Sequence, residues 1–354
     1  MRLLTTTLAA LLWLAASVHA ETLVGVAAPL SGPSAILGKQ IEAGTALAAD
    51  AEGVAVRTVD DACTADGGAA AARQFVDAKV NIVVGFLCTE AIEAALPILK
   101  DANIPVIAIG VRTESLTDRR AKTGWPVYRL GPRGDDERNA VATILTRLWQ
   151  NELFAVIDDG TIYGREIAET FRAAAEQAAL KPVFVDTFRP QLDNQIGLIG
   201  RLKKAGATKV FAGGDGDDIA IMGRDAASLN AGITFAGGET LRTPPGDVPY
   251  AAGTLMIALP EWAEVADPKV VQAFGERKIV TDGYTLPAYA AVEVAKAAAV
   301  DAESSGKPLA KTLTDHDFAT AIGTVGFDEK GDLSQNPFRA FRFDGTHFVP
   351  LEEN

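Results

Sequence analysis

Short runs of β-branched and small apolar residues alternate along this chain with longer segments of helical spacing. The first such runs lie at 23–28, 54–59, 82–84 and 104–109, and apolar residues recur with helical spacing between them. A continuous apolar run is typical of a strand that is buried on both faces. The alternation therefore predicts a parallel sheet covered by helices on both sides.

A second series of the same kind begins after the polar turn at 131–135. We expect two Rossmann-like open-sheet α/β lobes joined by a multi-strand hinge, because the chain returns to its first series after a strand at 254–259. A closing hairpin is predicted around Asp344-Gly345. Two lobes on such a hinge enclose a cleft that ligand binding can close. The predicted division assigns 21–131 and 260–325 to lobe 1, and 132–259 and 326–354 to lobe 2.

The first twenty residues have the pattern of a secretory signal peptide, with Arg2, an apolar run and the small residues Ser17 and Ala20 near the end. We expect cleavage after Ala20 and an exported, soluble protein, which the resemblance described below places in the periplasm. No cysteine follows the apolar run and no later segment is long and apolar enough to span a membrane, so no membrane anchor is predicted.

The net charge of −13 argues against nucleic acid and anionic membranes as partners, because both repel an acidic surface. The only two cysteines are Cys63 and Cys88. An even number of cysteines in an exported chain favours a disulfide, and a catalytic or metal-binding thiol is the alternative.

The mature chain lacks the residues of common catalytic sites. Its two histidines, His316 and His347, lie in polar or terminal stretches, and no Gly-x-Ser-x-Gly turn, phosphate-binding loop, dinucleotide motif or Cys/His cluster occurs. We therefore expect no enzyme, no cofactor and no metal site.

Two groups of aspartates have structural interpretations. Asp217 or Asp218 is expected to cap a helix, and the pair Asp60-Asp61 is expected to accept hydrogen bonds from backbone amides beside the disulfide.

The stretch at 81–91 combines a strand, a tight turn and a helix start. Thr89 is a natural N-cap residue and Glu90 suits the positive first turn. Free backbone N–H groups at such a helix start, at the carboxyl end of a parallel strand, favour a bound anion such as a carboxylate.

Several segments in order resemble the leucine/isoleucine/valine-binding periplasmic proteins. They are Pro29 to Pro33, Asp60 to Cys63, Gly85 to Thr89, Tyr163-Gly164, Gly238-Glu239 and Phe327 to Asp332. The resemblance implies a type I periplasmic binding protein fold. It also implies a receptor, expected to be a monomer, that delivers an amino acid or related small carboxylate to the permease and ATPase of an ABC importer.

The resemblance also implies a binding site. Thr89 would hold the ligand carboxylate, with Leu87 and Cys88 as main chain or wall. Gly110 and Arg112 occupy positions that would face the ligand ammonium and carboxylate. From the other lobe, Tyr163 would cover the ligand and Glu239 would pair with its ammonium.

Three positions depart from the family pattern, namely Leu37, Arg112 and Asp215. Arg112 in the cleft would favour an acidic ligand, and Asp215 there would favour a second amine or hydroxyls. In the alternative, Arg112 pairs with Glu114 at the surface and Asp215 caps the next helix. Binding of an amide, urea or an aromatic acid, and a role as a ligand sensor, are the alternative functions.

Overall fold

The computed structural model describes residues 22–351. The predicted signal peptide at 1–20 lies outside these residues. The described chain forms a five-stranded sheet, a seven-stranded sheet and a two-stranded hairpin, with helices around the two larger sheets. This is the predicted α/β architecture with two open sheets.

The first sheet is entirely parallel, in the order β2-β1-β3-β4-β5. Its strands are β1 (Leu23–Ala28), β2 (Ala55–Asp60), β3 (Ile82–Gly85), β4 (Val106–Ala108) and β5 (Val127–Arg129). The helices of this part are α1 (Ala35–Glu52), α2 (Ala65–Ala78), α3 (Thr89–Asp101), α4 (Ser115–Asp118) and α5 (Arg120–Thr123). All four residues of β3 are buried, as the continuous apolar run predicted.

The second sheet has seven strands, of which five are parallel. The parallel strands are β6 (Phe154–Asp158), β7 (Phe184–Thr187), β8 (Lys209–Gly213), β9 (Thr234–Gly237) and β10 (Leu255–Ala258). Its helices are α6 (Asp136–Leu148), α7 (Ile162–Gln177), α8 (Ile196–Ala205) and α9 (Gly216–Ser228), and a 3₁₀ turn spans Glu239–Arg242.

After β10 the chain returns to the first sheet. Its helices are α10 (Trp262–Val265), α11 (Pro268–Glu276), α12 (Thr285–Ser305) and α13 (Leu309–Asp315), followed by the hairpin β11 (Phe318–Thr320) and β12 (Gly323–Val325). The long helix α12 packs on α1 and β3.

The last two strands complete the second sheet. Strands β13 (Arg339–Phe343) and β14 (Phe348–Pro350) pair antiparallel around Asp344-Gly345, and β13 adds to β10, so the predicted closing hairpin is confirmed. The chain thus passes between the two sheets three times. Within residues 22–351, no helix has the length and apolar character needed to cross a membrane.

This topology positions the candidate site. Parallel strands end at a common edge, and the loops after these ends are where open α/β sheets bind ligands. The predicted site residues Thr89 and Arg112 follow β3 and β4 of the first sheet. Tyr163, Asp215 and Glu239 follow β6, β8 and β9 of the second.

Candidate functional site

The turn between β3 and α3 is tight and buried. Gly85 and Phe86 both have positive φ angles, 120° and 58°, and the Phe86 ring is fully buried. A disulfide joins Cys88 of this turn to Cys63, with their Cα atoms 5.2 Å apart, as predicted. The bond excludes the alternative of a free thiol at either position.

The start of α3 differs by one residue from the expectation. Cys88 occupies the N-cap position and Thr89 is the first helical residue, so the prediction of Thr89 as N-cap was wrong. Its hydroxyl instead lies 2.6 Å from the hydroxyl of Thr113, in the loop after β4. This hydrogen bond joins the start of α3 to the loop after β4.

Asp60 and Asp61 hold the chain around Cys63, as expected. Asp60 Oδ1 accepts from the amides of Leu30 and Ala62, both at 2.8 Å, and Asp61 Oδ1 accepts from the Cys63 amide at 2.9 Å. Burial raises the pKa of the Asp61 carboxyl. These carboxylates therefore shape the backbone beside the disulfide.

Gly110 allows the side chains of Leu87 and Tyr284 to pack closely against the loop that carries Arg112. A Cβ atom at this position would overlap the Leu87 side chain and press on the ring of Tyr284. The half-exposed Arg112 side chain extends from the same loop, with 45% of its surface accessible. The lobe 1 wall thus offers hydroxyls and one cation.

The lobe 2 wall is built around the half-buried carboxylate of Glu137, in the first turn of α6. Glu137 Oε1 accepts from the Tyr163 hydroxyl at 2.7 Å and from the Glu239 amide at 2.6 Å. Gly238 leaves room for this cluster, because a Cβ atom there would overlap both Glu137 and Tyr163. Burial raises the pKa values of Glu137 and Tyr163, and the charge of Glu137 raises that of the tyrosine further.

Sequence reasoning missed Glu137. Its only visible signal is an acidic residue in a helix first turn, which is common. Its partners lie 26 and 102 residues away along the chain, so only the fold shows their association.

Ion pairs join the walls across the cleft. Arg112 Nη1 lies 3.6 Å from Glu239 Oε2, and Glu114, in the loop after β4, lies 3.1 Å from Arg138 of α6. The alternative that Arg112 pairs with Glu114 was therefore wrong. Arg112 faces the cleft, and its partner is the carboxylate predicted to bind an ammonium.

A cavity of about 340 Å³ contains this pair. Of the predicted site residues, Gly110, Arg112 and Glu239 line it, and the others lie outside its lining. It extends past the aromatic side chains of Trp262 and Tyr284, which were not predicted. A second ion pair, Arg242 with Glu261, forms part of the same lining and was also not predicted. The lining of the cavity therefore combines charged and aromatic side chains.

Asp215 and Leu37 lie apart from this cavity. Asp215 is exposed at the N-cap position of α9, where its side chain makes no capping hydrogen bond, and Leu37 is exposed on α1. The predicted capping role of Asp217 or Asp218 was wrong. Asp217 accepts from the Gly246 amide and Asp218 from the Gln191 amide, so both hold other loops.

The grouped side chains suit recognition of a polar solute. In the part of the chain that the structure covers, no cluster of three His, Cys, Asp or Glu residues could hold a metal ion. The cavity offers instead the charges of Arg112 and Glu239. The paired hydroxyls of Thr89 and Thr113 and the half-buried Glu137–Tyr163 cluster lie outside its lining.

A sequence model described as periplasmic binding protein matches residues 21–347. The chain belongs to the periplasmic binding protein family. Members of this family are periplasmic solute-binding receptors of ABC transporters and not enzymes.

Individual relatives agree with this assignment. The chain is 29% identical to Leu/Ile/Val-binding protein homolog 3 of Brucella melitensis, covering 97% of each chain. It is 28% identical to the leucine-, isoleucine-, valine-, threonine-, and alanine-binding protein of Pseudomonas aeruginosa, covering 92% of this chain and 91% of that one.

A solved structure shares the fold of this receptor. It is an ABC transporter protein of Rhodospirillum rubrum, which matches with a TM-score of 0.77 at 18% identity and covers 94% of this chain and all of that one. The type I periplasmic binding protein fold expected from the resemblance is confirmed.

Proposed function

We propose that this receptor binds an amino acid, or a closely related small carboxylate, between Arg112 and Glu239 and delivers it to the permease and ATPase of an ABC importer. The observation that carries the proposal is the ion pair of these two residues, 3.6 Å apart across the cleft. A zwitterion has a carboxylate for the arginine and an ammonium for the glutamate. Binding would then replace one ion pair by two and leave neither protein charge unpaired.

The cost of this exchange is small. The side chains of Arg112 and Glu239 are 45% and 26% exposed, and a pair this accessible to water contributes at most about 1 kcal/mol. The ligand contacts form in a cleft from which lobe closure removes water, where charged hydrogen bonds contribute about 1.5–3 kcal/mol each. The balance favours the bound zwitterion.

The other predicted residues have supporting roles in this proposal. Thr89 would share the ligand carboxylate with Arg112, with Leu87 and Cys88 as wall, and the Gly110 carbonyl would accept from the ammonium. Tyr163 would cover the ligand from lobe 2. The relative from Brucella is named for leucine, isoleucine and valine, and the one from Pseudomonas for these three with threonine and alanine. Both names support an amino acid as the ligand class.

An aromatic acid is a second candidate, because Trp262 and Tyr284 line the same cavity as Arg112. Such a ligand has a carboxylate for Arg112 and no ammonium for Glu239. It would leave the Glu239 carboxylate unpaired beside a second anion, which disfavours binding. The present charges therefore favour the amino acid.

The test is a ligand screen on protein that has been unfolded and refolded to remove any bound solute. We expect at least one L-amino acid to raise the melting temperature, since a ligand at 100 times its Kd stabilises a protein by about 2.7 kcal/mol. Benzoate, simple amides and urea are included in the screen. The proposal fails if no amino acid shifts the melting temperature, and turnover of any compound would favour a hydrolase.

Transport and sensing make different predictions for the genome. Genes for a permease and an ATPase beside this gene support the importer, whereas a neighbouring regulator gene without them supports a sensor.

We further propose a monomer whose lobe 1 comprises 21–131 and 260–325 and whose lobe 2 comprises 132–259 and 326–354. The packing of α12 on α1 and β3 supports the return of the chain to lobe 1, and the pairing of β13 with β10 supports its last passage into lobe 2. Light scattering during size-exclusion chromatography should give the mass of one chain. A mass of two or more chains would contradict the monomer.

A further inference from the structure

Arg129 is fully buried and is the last residue of β5, an edge strand of the first sheet. Its Nη1 donates to the carbonyl oxygens of Val111 and Thr113, at 3.1 and 2.9 Å. These two carbonyls lie on either side of Arg112. A buried guanidinium therefore holds the main chain that carries the cation of the candidate site.

The rest of this guanidinium binds a distant segment. Its Nε lies 2.9 Å from Asp332 Oδ1, and the Arg129 amide donates to the Gly331 carbonyl at 2.7 Å. Asp332 lies between β12 and β13, where the chain makes its last passage between the sheets. The same arginine thus connects the Arg112 loop to an interlobe connection.

Thr117 completes the contact. Its hydroxyl accepts from Arg129 Nη2 at 2.7 Å and donates to Asp332 Oδ2 at 2.9 Å. Four donors of the Arg129 side chain are used in this arrangement, and only the planar fork of arginine provides that geometry. A lysine would keep the charge and lose most of these contacts.

The charges of this cluster balance. Arg133, on the first connection between the sheets, lies 2.9 Å from Asp332 Oδ2 and 2.8 Å from Asp135 Oδ1. Arg133 also lies 3.1 Å from Asp118 Oδ1, which is 3.3 Å from Lys330 Nζ. The two arginines and Lys330 therefore face the three carboxylates of Asp118, Asp135 and Asp332. Burial lowers the pKa of Arg129, and the charge of Asp332 opposes that shift.

We propose that Arg129 is a positioning residue, which fixes the Arg112 loop to two of the three interlobe connections through Asp332, Thr117 and Arg133. The orientation of Arg112 is then set by the hinge. The consequence for ligand affinity rests on the proposed function, in which Arg112 binds the ligand carboxylate. The positioning itself is independent of any ligand.

Hydrogen exchange on the ligand-free protein tests the positioning directly. The Gly134 amide donates to the Arg112 carbonyl at 2.8 Å and the Leu116 amide to the Thr113 carbonyl at 3.2 Å, so these two amides report on the loop. In Asp332→Asn and in Thr117→Val, we expect both to exchange about tenfold faster, while the amides of β3 keep their native rates.

The chain offers matched controls for this experiment. Asp135→Asn removes a carboxylate that contacts Arg133 and not Arg129, and Thr117→Ser keeps the hydroxyl. Both should leave the exchange of Gly134 and Leu116 within about twofold of native. If Asp332→Asn does not fold, Thr117→Val decides. Native exchange at both amides in Thr117→Val would overturn the proposal.

A thermodynamic cycle with L-leucine tests the link to binding. Thr117→Val should weaken leucine binding about fivefold in the native background and leave it unchanged in an Arg112→Ala background, since coupled residues are not additive. Equal weakening in both backgrounds would contradict positioning through Arg112. If native protein does not bind leucine, that result counts against leucine as the ligand, and the exchange experiment still decides the role of Arg129.

Discussion

At the scale of single residues, the site is defined by charges that face each other from different lobes. The backbone of Glu239 is fixed by Glu137, whose carboxylate accepts hydrogen bonds from the Glu239 amide and the Tyr163 hydroxyl. The carboxylate of Glu239 is left to Arg112 and, in the proposed complex, to an ammonium. Among the site residues, we therefore expect loss of Glu239 to reduce the affinity for an amine-bearing ligand most.

Glu239→Ala is therefore expected to weaken amino-acid binding by about 2 kcal/mol, or about 30-fold, because the ligand ammonium loses its charged partner. Isothermal titration of the refolded variant measures the change. Glu303→Ala, an exposed substitution at the end of α12, is the control. Unchanged affinity in Glu239→Ala would remove this residue from the site.

The same variant separates the two candidate ligand classes. Benzoate has no ammonium, so Glu239→Ala should strengthen its binding by freeing Arg112 from its partner. A screen in which Glu239→Ala weakens benzoate and amino acids alike would show that neither ligand uses the proposed charge exchange.

Local sequence predicted some residues of the site and missed others for a physical reason. The turn at Gly85–Thr89 could be predicted because strand, turn and helix signals are adjacent. The partner of Arg112 could not, because Glu239 lies 127 positions away and Glu114, two positions away, looked equally suitable. Arg129 and Glu137 have no local sequence signal, since their roles arise only from contacts with distant residues in the folded chain.

At the scale of elements, the disulfide ties the start of α3 to the loop before α2. Replacing Cys63 and Cys88 by serine should lower the unfolding free energy by about 3 kcal/mol, because the bond closes a loop of 25 residues in the unfolded chain. Urea unfolding of the variant and of reduced native protein should agree. An unchanged midpoint in both would contradict a structural role.

Helix α12 carries a carboxyl group that should make stability depend on pH. Burial, with nearby Glu52 and Asp267, raises the pKa of Glu293 from 4.5 to about 7, although its side chain accepts from the Ala321 amide at 2.7 Å. Between these pH values the native state holds a proton that the unfolded state has released. Stability should therefore fall as pH rises from about 4.5 to 7.

Glu293→Gln removes this titration. The variant should be more stable than native protein at pH 8 by about 1–2 kcal/mol, a value reduced because Glu293 is only partly buried, and the difference should disappear near pH 4.5. Melting curves at several pH values measure it. Glu303→Gln on the same helix is the control, and a constant difference at all pH values would contradict the assignment.

Elements were predicted well where their signals are local. The apolar runs gave β1 and β3, and Asp344-Gly345 gave the closing hairpin. The capping prediction for Asp217 or Asp218 was wrong because their carboxylates accept hydrogen bonds from other loops. The donors are the amides of Gly246 and Gln191, which are distant in sequence.

At the scale of the whole molecule, closure depends on contacts that cross the cleft. Arg138 of α6 offers a matched comparison, because it pairs with Glu114 from the first sheet and, at 3.8 Å, with Glu166 of the adjacent helix α7. Only the first of these pairs joins the two lobes.

Glu114→Ala should weaken amino-acid binding by about 0.5–1 kcal/mol, or two- to fivefold, because the closed form loses an interlobe ion pair. Glu166→Ala should change affinity by less than about 0.3 kcal/mol, since its pair lies within one lobe. Titration calorimetry at low and high salt measures both. Equal effects of the two variants would contradict a role of Glu114 in closure.

The most direct measurement is a crystal structure of the refolded protein with the L-amino acid that stabilises it most. We predict that the ligand carboxylate contacts Arg112 and Thr89, that its ammonium contacts Glu239, and that Arg112 and Glu239 are separated beyond the ion-pair limit of about 4 Å. An amino acid bound elsewhere, with the Arg112–Glu239 pair intact, would contradict the proposed site.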